Sequence, residues 1–65
     1  MNTKQTIEDE LGNRIEAMEN FLVAAQECLD EKNYLQCAAR LEMAAEQGKF
    51  PQFMMDIFDS ESGTP

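Results

Sequence analysis

The sequence predicts an all-α fold in which a long helix, a turn, a second helix and a short C-terminal helix form a helical hairpin that dimerises. Three observations predict it. Apolar residues recur at alternating spacings of four and three through the first half of the chain, capping residues stand where that rhythm begins and breaks, and Gly48 with Pro51 punctuates its end. The expected organisation is a disordered N-terminus over residues 1–5, a single helical domain over 6–58 and a disordered tail over 59–65.

Thr6 offers a capping hydroxyl with Asp9 three residues later, and acids in the first turn favour the positive end of the helix dipole, so the first helix is expected to start near Thr6. From there Leu11, Ile15, Met18, Leu22, Ala25 and Leu29 trace the seam of a helix packed on another helix. Ile7, Phe21 and Cys28 widen that stripe on one flank, and Asp9, Glu16, Glu27 and Asp30 take the opposite face. Gly12-Asn13 inside the run costs roughly 1 kcal/mol of helix propensity, which loosens the first two turns without breaking the period. Asp30 to Asn33 interrupts the rhythm, and Asn33 can cap a new helix with Gln36 at its third position.

The second helix is predicted from about Tyr34 to Gln47, with Tyr34, Ala38, Leu41 and Ala45 on its inner line and Cys37 and Ala44 beside it. Gly48 ends it, with Phe50 able to fold back on the last turn and Pro51 beyond. Pro51 then opens a third element of about two turns, with Phe53, Met54, Ile57 and Phe58 on one side. So short a helix is unstable alone and must dock. Asp59 onward carries no large apolar residue, hence the expected tail.

At ~1.5 Å per residue the first helix is roughly 39 Å long and the second roughly 21 Å, so a simple hairpin leaves the N-terminal half of the first helix uncovered. Leu11, Ile15, Met18 and Leu22 are therefore expected at a homodimer interface, because five helical residues beyond Pro51 are too few to hide them.

A chain of 65 residues has a marginal core and usually gains stability from a disulfide, a metal or oligomerisation. Two cysteines without histidine cannot complete a tetrahedral zinc site within one chain, so no metal or other cofactor is expected. The net charge of −8, with its five basic residues isolated from one another, disfavours direct binding of nucleic acid or an anionic membrane. No stretch approaches a membrane span or a leader, and a cytoplasmic location is expected, with Cys28 and Cys37 as reduced thiols. The two cysteines flank the turn at similar distances. They are read as small half-buried packing residues, with a redox pair as the alternative.

Catalysis is not expected. Histidine is absent, no serine sits in a nucleophile elbow, and the carboxylate pairs Glu16/Glu19 and Glu42/Glu46 are read as solvated helix faces. Phe50, Phe53, Met54, Ile57 and Phe58, with Met55 among them, concentrate large apolar surface in nine residues and are the candidate site for a protein partner, although closure of a dimer core accounts for them equally well.

The segment from Phe21 to Ala44 resembles a single tetratricopeptide-type helical hairpin. Phe21, Ala24 and Ala25 lie where that motif has its first-helix aromatic and small residues, Tyr34 follows the turn, and Leu41 and Ala44 fill second-helix positions. Cys37 stands where alanine is usual, and Gly48-Lys49 delays the proline to Pro51. One such unit cannot bury its own faces, so the resemblance also implies self-association. By size, charge and the run Ala44 to Pro51, the chain further resembles the short acidic helical proteins of lambdoid bacteriophage early regions, which implies a non-enzymatic regulator of phage development or host physiology. The function expected is thus a dimeric helical adaptor or regulator that binds itself and another, unidentified protein. The alternative is an acidic mimic of DNA that inhibits a DNA-binding protein.

Overall fold

The computed structural model describes residues 3–62. All regular structure among them is helical: α1 spans Thr3–Asp30, α2 spans Tyr34–Gln47 and α3 spans Gln52–Glu61. α1 and α2 form the predicted antiparallel hairpin. α3 turns back over the part of α1 that extends beyond α2.

Both outer boundaries lie further out than the sequence reading put them. α1 begins at Thr3 rather than near Thr6, and Asp9, expected to cap Thr6, instead accepts a hydrogen bond from Gln5 Nε2 at 3.1 Å, an i,i+4 pair that favours another helical turn. α3 runs through Asp59, Ser60 and Glu61, residues assigned to the tail on composition. There the Ser62 N–H and Oγ both donate to the Phe58 carbonyl, at 2.9 and 2.7 Å. Residues 1, 2 and 63–65, also assigned to disordered ends, lie outside the described residues.

The turn is built as the sequence predicts at Asn33, whose Oδ1 accepts from the Gln36 N–H at 3.4 Å. What precedes it was not foreseen. The Asn33 N–H reaches back to the Cys28 carbonyl at 2.8 Å and the Lys32 N–H to Leu29 at 2.9 Å, a Schellman-type ending with Lys32 left-handed at φ 61°. At the far end of α2 the Gly48 N–H donates to Ala45 O at 3.1 Å, with Gly48 at φ −92°. Its use is therefore steric rather than conformational: a Cβ at Gly48 would sit 3.2 Å from the end of the Met18 side chain, so glycine lets this end of α2 press onto α1.

The facing lines of the hairpin are rotated from those predicted. Along α1 the half-buried or buried residues include Ile7, Leu11, Arg14, Met18, Phe21, Ala25 and Cys28, a run of alternating four and three in which the predicted flank is the inner line, with Glu10, Ala17 and Ala24 half-buried beside it. Along α2 they are Cys37, Ala39, Arg40, Ala44 and Gln47, whereas Tyr34, Ala38, Leu41 and Ala45 stay exposed. The reason is size. This rotation turns Ala24, Ala25 and Cys28 of α1 toward Cys37 and Ala44 of α2 and the Gly48 that caps it, and small residues let two helix axes approach closely.

Among the described residues only Ala25 and Ala44, 3% and 4% exposed, are fully buried. The molecule measures 48 × 20 × 20 Å with a radius of gyration of 15.3 Å. A compact chain of this length would have a radius of about 11 Å. The hairpin is thus a rod held by a thin seam, with large side chains along its outside. No helix among the described residues is long and apolar enough to cross a membrane.

Candidate functional site

Two surfaces collect the apolar residues that the fold leaves uncovered. The first lies on one side of the hairpin. Ile15, Leu22 and Leu29 recur every seven residues, so helical geometry sets them within roughly 40° of one another. They are 57%, 47% and 46% exposed. Leu22 and Leu29 form one wall of an open groove whose other wall is Cys37 and Leu41 of α2, with Ala25 at its floor. Tyr34, Ala38 and Ala45 follow Leu41 on its side of α2, within roughly 60°.

The second surface surrounds α3. Pro51, extended at ψ 155°, sets the helix so that Met54 and Phe58, one turn apart, face α1. Phe58 inserts beside Ile7 and Leu11, and its ring meets Phe50 edge-on with centroids 5.1 Å apart. Arg14 completes this cluster. Its guanidinium stacks 5.1 Å from the Phe50 ring centroid, pairs through Nε with Glu10 Oε1 at 2.9 Å, and donates to the Gln47 carbonyl at 3.2 Å. One side chain of α1 thereby fixes the last turn of α2, the linker and, through Phe50, the seat of α3. Phe53 points outward from the opposite flank of α3, 66% exposed, and Ile57, 44% exposed, stands at the rim between that flank and α1. Beside them a second groove runs between α3 and α1, lined by Thr6, Ile7, Glu10, Arg14 and Met54, with Ile57 and Phe58 on its α3 side.

No known protein family, curated protein or solved structure matches this chain.

The predicted dimer residues divide between two roles. Leu11 and Met18 turn into the chain's own seam, Met18 against Gly48, whereas Ile15 and Leu22 remain on the open face. The predicted partner site divides likewise: Phe50, Met54 and Phe58 are half-buried and hold α3 to α1, and Phe53 and Ile57 are free at the surface. The expected placing of Phe53, Met54, Ile57 and Phe58 on one side of α3 is therefore corrected. Phe53 falls in the first turn of α3 on the side away from α1, and Phe58 takes the inner position.

Sequence reasoning missed Arg14, which it counted among scattered surface charges. A signal existed, since Ile7, Arg14, Phe21 and Cys28 repeat every seven residues and Arg14 is the one charge in that row. Cys28 and Cys37 are free thiols, both half-buried. Among the described residues no three Cys, Asp or Glu side chains come together as a metal site.

Proposed function

We propose that this protein is a non-catalytic helical docking protein that self-associates through its hairpin and presents α3 to another protein. The observation that carries this reading is the distribution of apolar surface: Ile15, Leu22, Leu29, Leu41, Phe53 and Ile57 stand exposed while only two alanines are fully buried among the described residues. Isolated surface leucines are ordinary, but a periodic stripe and a paired aromatic and isoleucine beside a groove form contiguous patches of the kind proteins use for contact. Phe53 and Ile57, one turn apart on a short helix fixed by Arg14, form a preorganised anchor pair for a helix-in-groove contact.

The test has two parts. Sedimentation or light scattering of the purified protein should give twice the chain mass at micromolar concentration. Capture from the source cell should retain a protein that is lost with Phe53→Ala plus Ile57→Ala and kept at raised salt, because apolar docking is screened little. A single-chain mass at every concentration refutes the self-association, and unchanged retention by the double variant refutes the α3 site. Retention that collapses with salt alone would point instead to the acidic faces and a mimic of nucleic acid.

A further inference from the structure

The open side of the α1–α2 hairpin is a pair of helical seams that no other described element covers. Its two stripes, Ile15/Leu22/Leu29 on α1 and Tyr34/Ala38/Leu41/Ala45 on α2, contain no charged residue in a chain of net charge −8. Their spacings, sevens on α1 and four-three-four on α2, are those of helices that pack lengthwise on other helices. Leu22 is the centre of the α1 stripe, and Leu41, beside the midpoint of the α2 stripe, lines the same groove as Leu22.

We infer that this face takes a second copy of the same chain, related by a two-fold axis that crosses the rod at the level of Leu22 and Leu41, to give an antiparallel four-helix arrangement. The inference rests on the self-association proposed above and assigns its surface and geometry. Such an axis lays Leu22 on Leu22 of the second copy, Leu41 on its counterpart, and Ile15 on Leu29 of the second copy, so the patch covers itself.

Area supports one equal partner. The chain exposes 5157 Å², whereas a globular monomer of 7.4 kDa exposes about 4,200 Å². The excess, roughly 950 Å² over the whole chain, leaves room for the ~800 Å² that each member of a stable pair contributes.

Charge selects the antiparallel sense. The turn end carries Glu27, Asp30 and Glu31 against Lys32 alone, and a parallel pair would bring two such ends together. The antiparallel pair instead sets each turn beside the segment Glu10 to Glu16, whose net charge is only −1 because Arg14 pairs with Glu10. Because both copies remain strongly acidic, added salt should tighten this dimer rather than loosen it.

Wild-type protein, half isotope-labelled and half not, tests the geometry directly by isotope-filtered nuclear Overhauser spectra at millimolar concentration. The expected cross-chain contacts are Leu22 methyls with Leu22, and Ile15 methyls with Leu29. A dimer showing Ile15 against Ile15, or contacts confined to Ile57 of α3, overturns this geometry and leaves self-association standing. A monomer under the same conditions overturns both. As a second measurement, Ile15→Glu with Leu41→Glu should weaken the dimer on the order of 100-fold and keep the monomer helical, since both side chains are solvent-exposed in the single chain. Val23→Glu, on the other side of α1, should leave the mass unchanged. Dimerisation unaffected by the double variant would likewise sink the proposed face.

Discussion

Replacing Arg14 by alanine removes three contacts at once and should cost about 2 kcal/mol. The ion pair with Glu10 joins side chains that are 34% and 39% exposed, so solvent screening holds it to about 0.5 kcal/mol. The hydrogen bond to the Gln47 carbonyl satisfies a C-terminal acceptor of α2 with a cationic donor, about 1 kcal/mol. Stacking on Phe50 in a half-buried site adds about 0.5 to 1 kcal/mol. Because the three share one side chain they are not strictly additive, which keeps the total near 2 rather than above it. In a chain this small that is a large fraction of all stability, and the melting midpoint should fall by roughly 8–16 °C. Urea and thermal unfolding followed by circular dichroism at one fixed protein concentration would measure it, since a self-associating chain has a concentration-dependent midpoint. Amide exchange should show the loss concentrated in α3. Arg14→Lys should recover less than half, because lysine keeps the charge but not the planar stack and fork. An Arg14→Ala cost below about 0.5 kcal/mol, or full recovery by lysine, would refute the idea that this side chain seats α3.

Three further predictions concern single positions. Lys32→Gly should stabilise by about 1 kcal/mol, because φ 61° suits glycine and strains lysine, while Lys32→Ala should give no such gain; chemical denaturation of the pair decides. Gly12→Ala should also add about 1 kcal/mol, since a Cβ there meets nothing within 4 Å, and an unchanged denaturation midpoint would mean that the position is covered in the assembled protein. Phe58→Ala should cost about 2 kcal/mol by opening the cluster with Phe50, whereas Phe53→Ala should stay within about 0.5 kcal/mol; equal costs would mean that the two faces of α3 are misassigned.

Helix number, the turn at Asn33 and the stop at Gly48 were legible in the sequence because each depends on local chemistry. Which side of each helix faces inward was not. Two lines compete on α1, sharing Leu11, Met18 and Ala25, and the choice between Ile15/Leu22/Leu29 and Ile7/Arg14/Phe21/Cys28 is made by packing against α2. Hydrophobicity favours the first line, since it replaces an arginine and a cysteine with aliphatic residues. Close approach favours the second, because it faces small residues with small residues and gives Arg14 the Gln47 carbonyl and Phe50 as partners. A periodicity argument weighs only the first term. The same blindness grouped Phe53 with Phe58, whose spacing alone cannot say which edge of α3 meets α1.

The hairpin closes over the three-residue turn Glu31 to Asn33, while the bond that ties its other end, from Arg14 to Gln47, spans 33 residues of sequence. Loop-closure entropy rises with that separation, so contacts should form progressively from the turn outward, with α3 settling last. Opening follows the reverse order. Slow amide exchange should therefore lie near Ala25, with protection falling along the rod toward Ile7 and α3. The surface built by Phe53 and Ile57 exists only once that final step is complete. A protein seated on α3 would thus draw its binding energy partly against local unfolding, and would firm the end of the rod that folds last.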